Sequence, residues 1–273
     1  MTATYAPSLQ ATPSLRQGPR NVAIAAAGAM AAPLLSTLIA FAIDPRTING
    51  ASVWLKPMHF ELSLALHFTT LALLLPLASR AWQSSRLVRG SMLAAATCAV
   101  LEVAYISLQA ARGEASHFNY SSPVSGAMYA LMGLGALIIV IGSAVTGLAI
   151  WRSRGVRGDS QLGRGAALGL VLGSGATLAL AGYMSSQGSH LVGGPPTDAF
   201  GLPFLGWATR GGDLRVPHFF ATHAMQALPL AGLAADRLGL AARWAMPAAA
   251  ALYFVAVLAL FGQALMGIPF IGL

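Results

Sequence analysis

The sequence predicts an all-α integral membrane protein: a seven-transmembrane-helix bundle with its N-terminus in the cytoplasm and its C-terminus outside. Three observations carry this. Hydrophobic residues make up 56% of the 273-residue chain and charged residues 9%, whereas a soluble domain carries about a quarter charged. Seven apolar runs (21–43, 58–79, 91–111, 124–150, 164–186, 217–235 and 243–268) each approach the roughly 20 residues a helix needs to cross the hydrocarbon. Lysine and arginine divide unevenly between alternate loops. Eleven (Arg16, Arg20, Arg80, Arg86, Arg89, Arg152, Arg154, Arg157, Arg164, Arg237 and Arg243) fall on one side and five (Arg46, Lys56, Arg112, Arg210 and Arg215) on the other, which places the N-terminus inside. The net charge of +8 is therefore a topology signal. It forms no stripe suited to nucleic acid.

Residues 1–20 are rich in Ser, Pro, Thr and Gln and read as a flexible cytoplasmic tail, with 21–273 as a single membrane domain. The first run is longer than a signal-peptide core and ends at Asp44-Pro45, so it is expected to stay as an uncleaved helix. The second run carries His59, Ser63 and His67 at four-residue steps, which turn only about 40° each and make one flank. Glu61 points to the opposite side. The third run carries Glu102, Tyr105 and Gln109 on one face, and Cys98, the only cysteine, which rules out an intrachain disulfide or c-type haem attachment. The fourth and fifth runs are scaffold: Gly133, Gly135, Gly142 and Gly147 in one, then Gly165, Gly169 and Gly173 with Thr177 in the other. Small residues at that spacing let helices approach closely, within the chain or, for an oligomer, between copies through helix 164–186. The sixth run begins at Pro217-His218 and carries His223 and Gln226. Before it lies the longest connection, 187–216, an outer loop rich in Gly, Pro and aromatics. A loop of this length is commonly functional, as a lid for example; the plain alternative is an interfacial loop held by Trp207 and Phe204.

In this orientation all six histidines lie in or beside the outer half of the membrane. At about 1.5 Å per residue, His67 and Glu102 sit about 15 Å below the outer boundary and His223 about 9 Å. His59 and His218 lie at the boundary, and His117 and His190 in outer loops. Ionisable groups in hydrocarbon are costly unless they are paired, ligated or facing a cavity. The main expectation is a redox protein: a b-type haem held by His67 and His223, with His59 and His218 as a second pair, passing electrons to a partner in or near the membrane. A zinc or copper ion on His59, His117 and His218 with Glu61 is the alternative cofactor. A polar pocket of Glu102, Tyr105, Gln109, Gln226 and Ser63 would surround the site. Transport of a small molecule or proton through Glu102 and His67 is the runner-up function. Third is a metal-dependent intramembrane hydrolase, against which HFFATH spaces its histidines by five and turns them about 140° apart. Plain interhelical hydrogen bonding accounts for any single histidine. Multi-pass insertion in a bacterial inner membrane fits every reading.

Overall fold

The computed structural model describes residues 18–153, 160–240 and 242–272. Most of the expected tail, through residue 17, and Arg154 and Arg157 of the inner loop lie outside the described residues. The rest is a helical bundle. The first run is two helices, α1 (Pro19–Ala31) and α2 (Leu34–Ile43), interrupted at Ala32-Pro33, where proline withholds an N–H and crowds the preceding turn. A hairpin follows, β1 (Thr47–Ile48) and β2 (Ala51–Ser52), whose turn residues Asn49 and Gly50 both have positive φ. Next come α3 (Leu55–Leu74), tightened by a 3-10 turn at Leu75–Leu77, and the short α4 (Arg80–Gln83). The long helices α5 (Arg86–Arg112), α6 (Pro123–Trp151) and α7 (Gln161–Ser186) start at Ser85, Ser122 and Ser160. Each of these hydroxyls accepts a backbone N–H of the first turn. Strand β3 (Leu191–Val192) pairs with β4 (Gly212–Asp213), and α8 (Arg215–Arg237) and α9 (Ala245–Leu265) complete the chain.

Six helical stretches among the described residues are long and apolar enough to cross a membrane: Pro19–Ile43, Leu55–Leu77, Arg86–Arg112, Pro123–Trp151, Gln161–Ser186 and Ala245–Leu265. Helix α8, the expected sixth span, is 23 residues long but more polar and falls outside that set. Lys56, expected in the loop before the second span, stands in the first turn of α3.

α1 packs on α3 and α5, and α5, α6, α7, α8 and α9 follow as successive neighbours. The closest approach is α7 on α8. A Cβ at Gly165 would strike the Leu228 carbonyl, one at Gly169 the Ala224 carbonyl, and one at Gly173 would stand 3.1 Å from the Ala221 carbonyl. This glycine stripe is therefore consumed inside the chain, and α8 covers the face through which self-association was expected. The main apolar core joins α1, α3, α5, α6 and α7 around Phe68, Leu71, Leu75, Met92, Ile150 and Leu170, with Met225 of α8 closing it.

Candidate functional site

The side chains of α3 and α8 meet along a row. Gln226 Nε2 donates to Thr70 Oγ1 at 2.9 Å, and Thr70 donates onward to the Leu66 carbonyl. The 156-residue separation of this pair also relates His67 to His223 and His59 to Arg215. Continued along two parallel helices, that offset sets His59, His67 and Thr70 level with Arg215, His223 and Gln226 over about 16 Å of α3, with the hydrogen bond across at the deepest pair. α6 supplies a third wall, where His67 Nε2 lies 3.0 Å from Ser143 Oγ. Two polar atoms on this row, His223 Nδ1 and Gln226 Oε1, are buried without a hydrogen-bond partner. Such atoms mark places that water or a ligand's polar group satisfies. Past Thr70 on α3, Leu71, Leu74 and Leu75 are buried in the main apolar core.

Depth had also placed Glu102 beside His67, and the structure separates them. Glu102 packs on Gly135 of α6, so closely that a Cβ there would stand 2.6 Å from Oε1. Ser143, which receives His67, is two turns further along α6. Glu102 Oε1 is buried without a partner. Gln109 is buried, Tyr105 half-buried, and Ser63 exposed on the flank of α3 that carries His59 and His67; of the five members of the expected pocket, Gln226 and Ser63 lie along the row. Glu61 is fully buried on the far side of α3, where Thr37 Oγ1 donates to its Oε1 at 2.8 Å. His218 turns to α7, against the Thr177 backbone, so it does not pair with His59.

The end of the row at the N-termini of α3 and α8 is built by the loops. Arg215 binds Asp213 and Asp198 at 2.7 and 2.9 Å and donates to the Gly206 carbonyl. Asp198 also accepts from Asn49 Nδ2 at 2.9 Å and lies 2.8 Å from His190 Nε2. Burial alone would raise the Asp198 carboxyl, but the His190 hydrogen bond and the Arg215 charge hold it at about 2. The His59 ring meets the Phe204 carbonyl. His117, in the 113–122 connection, contacts Ser116, Phe60 and Tyr129. Its burial, helped by the nearby Lys56 charge, holds it well below the usual imidazole range. A histidine kept neutral in the folded state binds no proton where the unfolded chain does, so stability should fall as pH drops below about 6.5. Asp198 adds an effect of the same sign only between 3.8 and about 2. Melting temperatures at pH 7.5 and 5.0 check this: the acid loss should shrink in His117→Phe, and an unchanged loss removes His117 as its source.

The haem and metal expectations meet this geometry unequally. A b-type haem clamped by His67 and His223 needs a macrocycle's width between α3 and α8. One turn deeper the helices are bridged at 2.9 Å, and the Phe219 ring centroid stands 4.0 Å from that of His223, so the pair as packed does not fit a haem. The second pair, His59 and His218, faces different neighbours. For zinc or copper, no group of three or more His, Cys, Asp or Glu placed to hold a metal ion occurs among the described residues. His59, His117, His218 and Glu61 each turn to a separate partner.

The asparagine–glycine turn at 49–50 is the site feature that the sequence reading missed. Asn-Gly between short apolar segments is a strong hairpin signal, since both residues tolerate positive φ, and it places Asn49 under Asp198. No protein-family model, curated protein or solved structure matches this chain.

Proposed function

We propose that this is a multi-pass protein of a bacterial inner membrane that moves protons, alone or coupled to a small polar solute, along the α3–α8 row. The reading takes α8 as a seventh span and the N-terminus as cytoplasmic, supported by the eleven-to-five split of basic residues and by the 23-residue length of α8, about 34 Å. The observation that carries it is the in-register succession His59/Arg215, His67/His223, Thr70/Gln226, with orphaned atoms on the two deeper pairs. Imidazole accepts and releases protons near neutral pH, water held by the orphaned polar atoms would carry them between rings, and polar groups at this depth are a functional feature. The row meets the loops at one end and buried apolar packing past Thr70 at the other, which fits an occluded state.

The test is reconstitution in liposomes with a trapped pH indicator. The protein should speed the decay of an imposed proton gradient, and vesicles no leakier than empty ones would end the reading. A redox role, with haem b or a zinc or copper ion, is the second reading. The level pairing of His67 with His223 favours it, and it needs α3 and α8 to stand further apart. A visible spectrum and metal analysis of the purified protein separate the two: a Soret band lost in His223→Ala supports the redox role.

A further inference from the structure

The connection 188–214 is folded rather than loose. It is closed on itself by the β3–β4 pair and by the bridge between Gly201 and Ala208, with Trp207 buried. It lies over the outer end of the α3–α8 row at two points. The Phe204 carbonyl meets the His59 ring, and the Trp207 ring stands 5.2 Å from Phe219, whose own ring packs on His223. The segment is tied to the opposite loop through a small set of bonds. Asn49 Nδ2 donates to Asp198 Oδ2, and the Asn49 carbonyl accepts from both the Asp198 N–H and Thr197 Oγ1, each at 2.9 Å. Gly50, at φ +85°, is held so close that a Cβ would stand 2.7 Å from Ala199 Cβ and 2.9 Å from Thr197 Oγ1. On its other side Asp198 is held by Arg215, at the first residue of α8, and by His190.

We propose that residues 188–214 are a lid over the outer end of the α3–α8 row, latched by Asp198 and Thr197 to the Asn49–Gly50 turn. The row as a proton path rests on the reading above; the lid does not. Latch and row are separate sets of residues. Asn49 and Gly50 touch only the lid, so weakening them should change access to the row while leaving its groups in place. Phe204 and Trp207 close the row from the lid side, so opening the latch exposes Phe219 and His223 together.

The experiment uses the full chain in lipid nanodiscs with Cys98→Ala as background and Phe219→Cys as the probe, labelled by a membrane-impermeant maleimide. Ser186→Cys, at an exposed position at the end of α7, serves as a control that should react alike in every variant. Losing one hydrogen bond shifts a two-state equilibrium about fivefold. Asn49→Ala and Gly50→Ala should each speed labelling of Phe219→Cys by about fivefold or more, and equal rates in monodisperse variants overturn the lid. Should either variant fail to fold, hydrogen exchange on the unmodified protein decides. The amides of Asp198, Leu202, Gly206 and Thr209, all bonded within or across the lid, should exchange as one unit faster than α3 and α8. Exchange as slow as those helices overturns the proposal. Latch-dependent labelling without proton flux keeps the lid and removes the transport reading; flux with latch-independent labelling does the reverse.

Discussion

Gly169→Leu is expected to melt the protein about 10 °C below wild type and to cost most of its monodisperse yield, whereas Gly175→Leu should leave both unchanged. The two glycines lie six residues apart on α7 with opposite surroundings. A Cβ at Gly169 runs into the Ala224 carbonyl and reaches 3.3 Å from Leu228 Cβ, while one at Gly175 meets nothing within 4 Å. The obstruction at Gly169 is backbone and cannot rotate away, so α8 has to move. Overpacking of this kind costs about 1–3 kcal/mol, and more where the backbone must shift. About 3 kcal/mol corresponds to about 10 °C for a domain near this size. Gly165 and Gly173 meet the same helix at the Leu228 and Ala221 carbonyls, so displacement at Gly169 propagates along it and carries His223 and Gln226 off the row. Differential scanning fluorimetry in one detergent, with size-exclusion profiles, is sufficient. Equal melting of the two variants would mean that α7 and α8 are not packed as described.

His67→Phe should cut proton flux on the order of a hundredfold, the usual scale for losing a group that accepts and donates the proton. Phenylalanine keeps most of the ring volume and removes both nitrogens. Ser143, which loses its partner, can turn back to a carbonyl of its own helix, so the fold should survive. Gln226→Leu should act in the same direction for a related reason. Thr70 keeps the Leu66 carbonyl as acceptor, and the row loses its deepest amide. Thr69→Ala, exposed and turned about 100° from Thr70 on α3, should transport as wild type. Initial rates in proteoliposomes at matched protein density read all three. Wild-type flux in His67→Phe would move the path away from the row.

Much of the scaffold is legible in the chain because its determinants are local. Ser85, Ser122 and Ser160 mark helix starts that capping chemistry explains, Pro123 follows its cap at the first helical position, and Gly113 ends α5 in the left-handed conformation. The break at Pro33 carried a local signal too, though an unbroken apolar run hides it. Depth along each helix, counted from loop boundaries, puts His67 about 15 Å and His223 about 9 Å down, whereas both lie three residues before the Thr70–Gln226 bond. Depth also says nothing of azimuth. Glu102 lies at a depth suited to His67, yet its side chain is committed to α6, where Gly135 leaves room for a carboxylate. Neither residue alone reveals that choice. The same holds at the loop end of the row: Asn49 and Asp198 are 149 residues apart, and only the docking of two loops makes them partners. Phe204, expected to anchor the long connection, is exposed, while Trp207 is buried.

The matched direction of α3 and α8 bears on how the chain is threaded. Two helices that point the same way must have an odd number of crossings between them, and α5, α6 and α7 supply three. Reporter domains fused after Gln83 and after Leu240 should therefore read the same compartment, and one fused after Gln187 the opposite one. That agreement would make α8 a complete passage despite its histidines, arginines and glutamine.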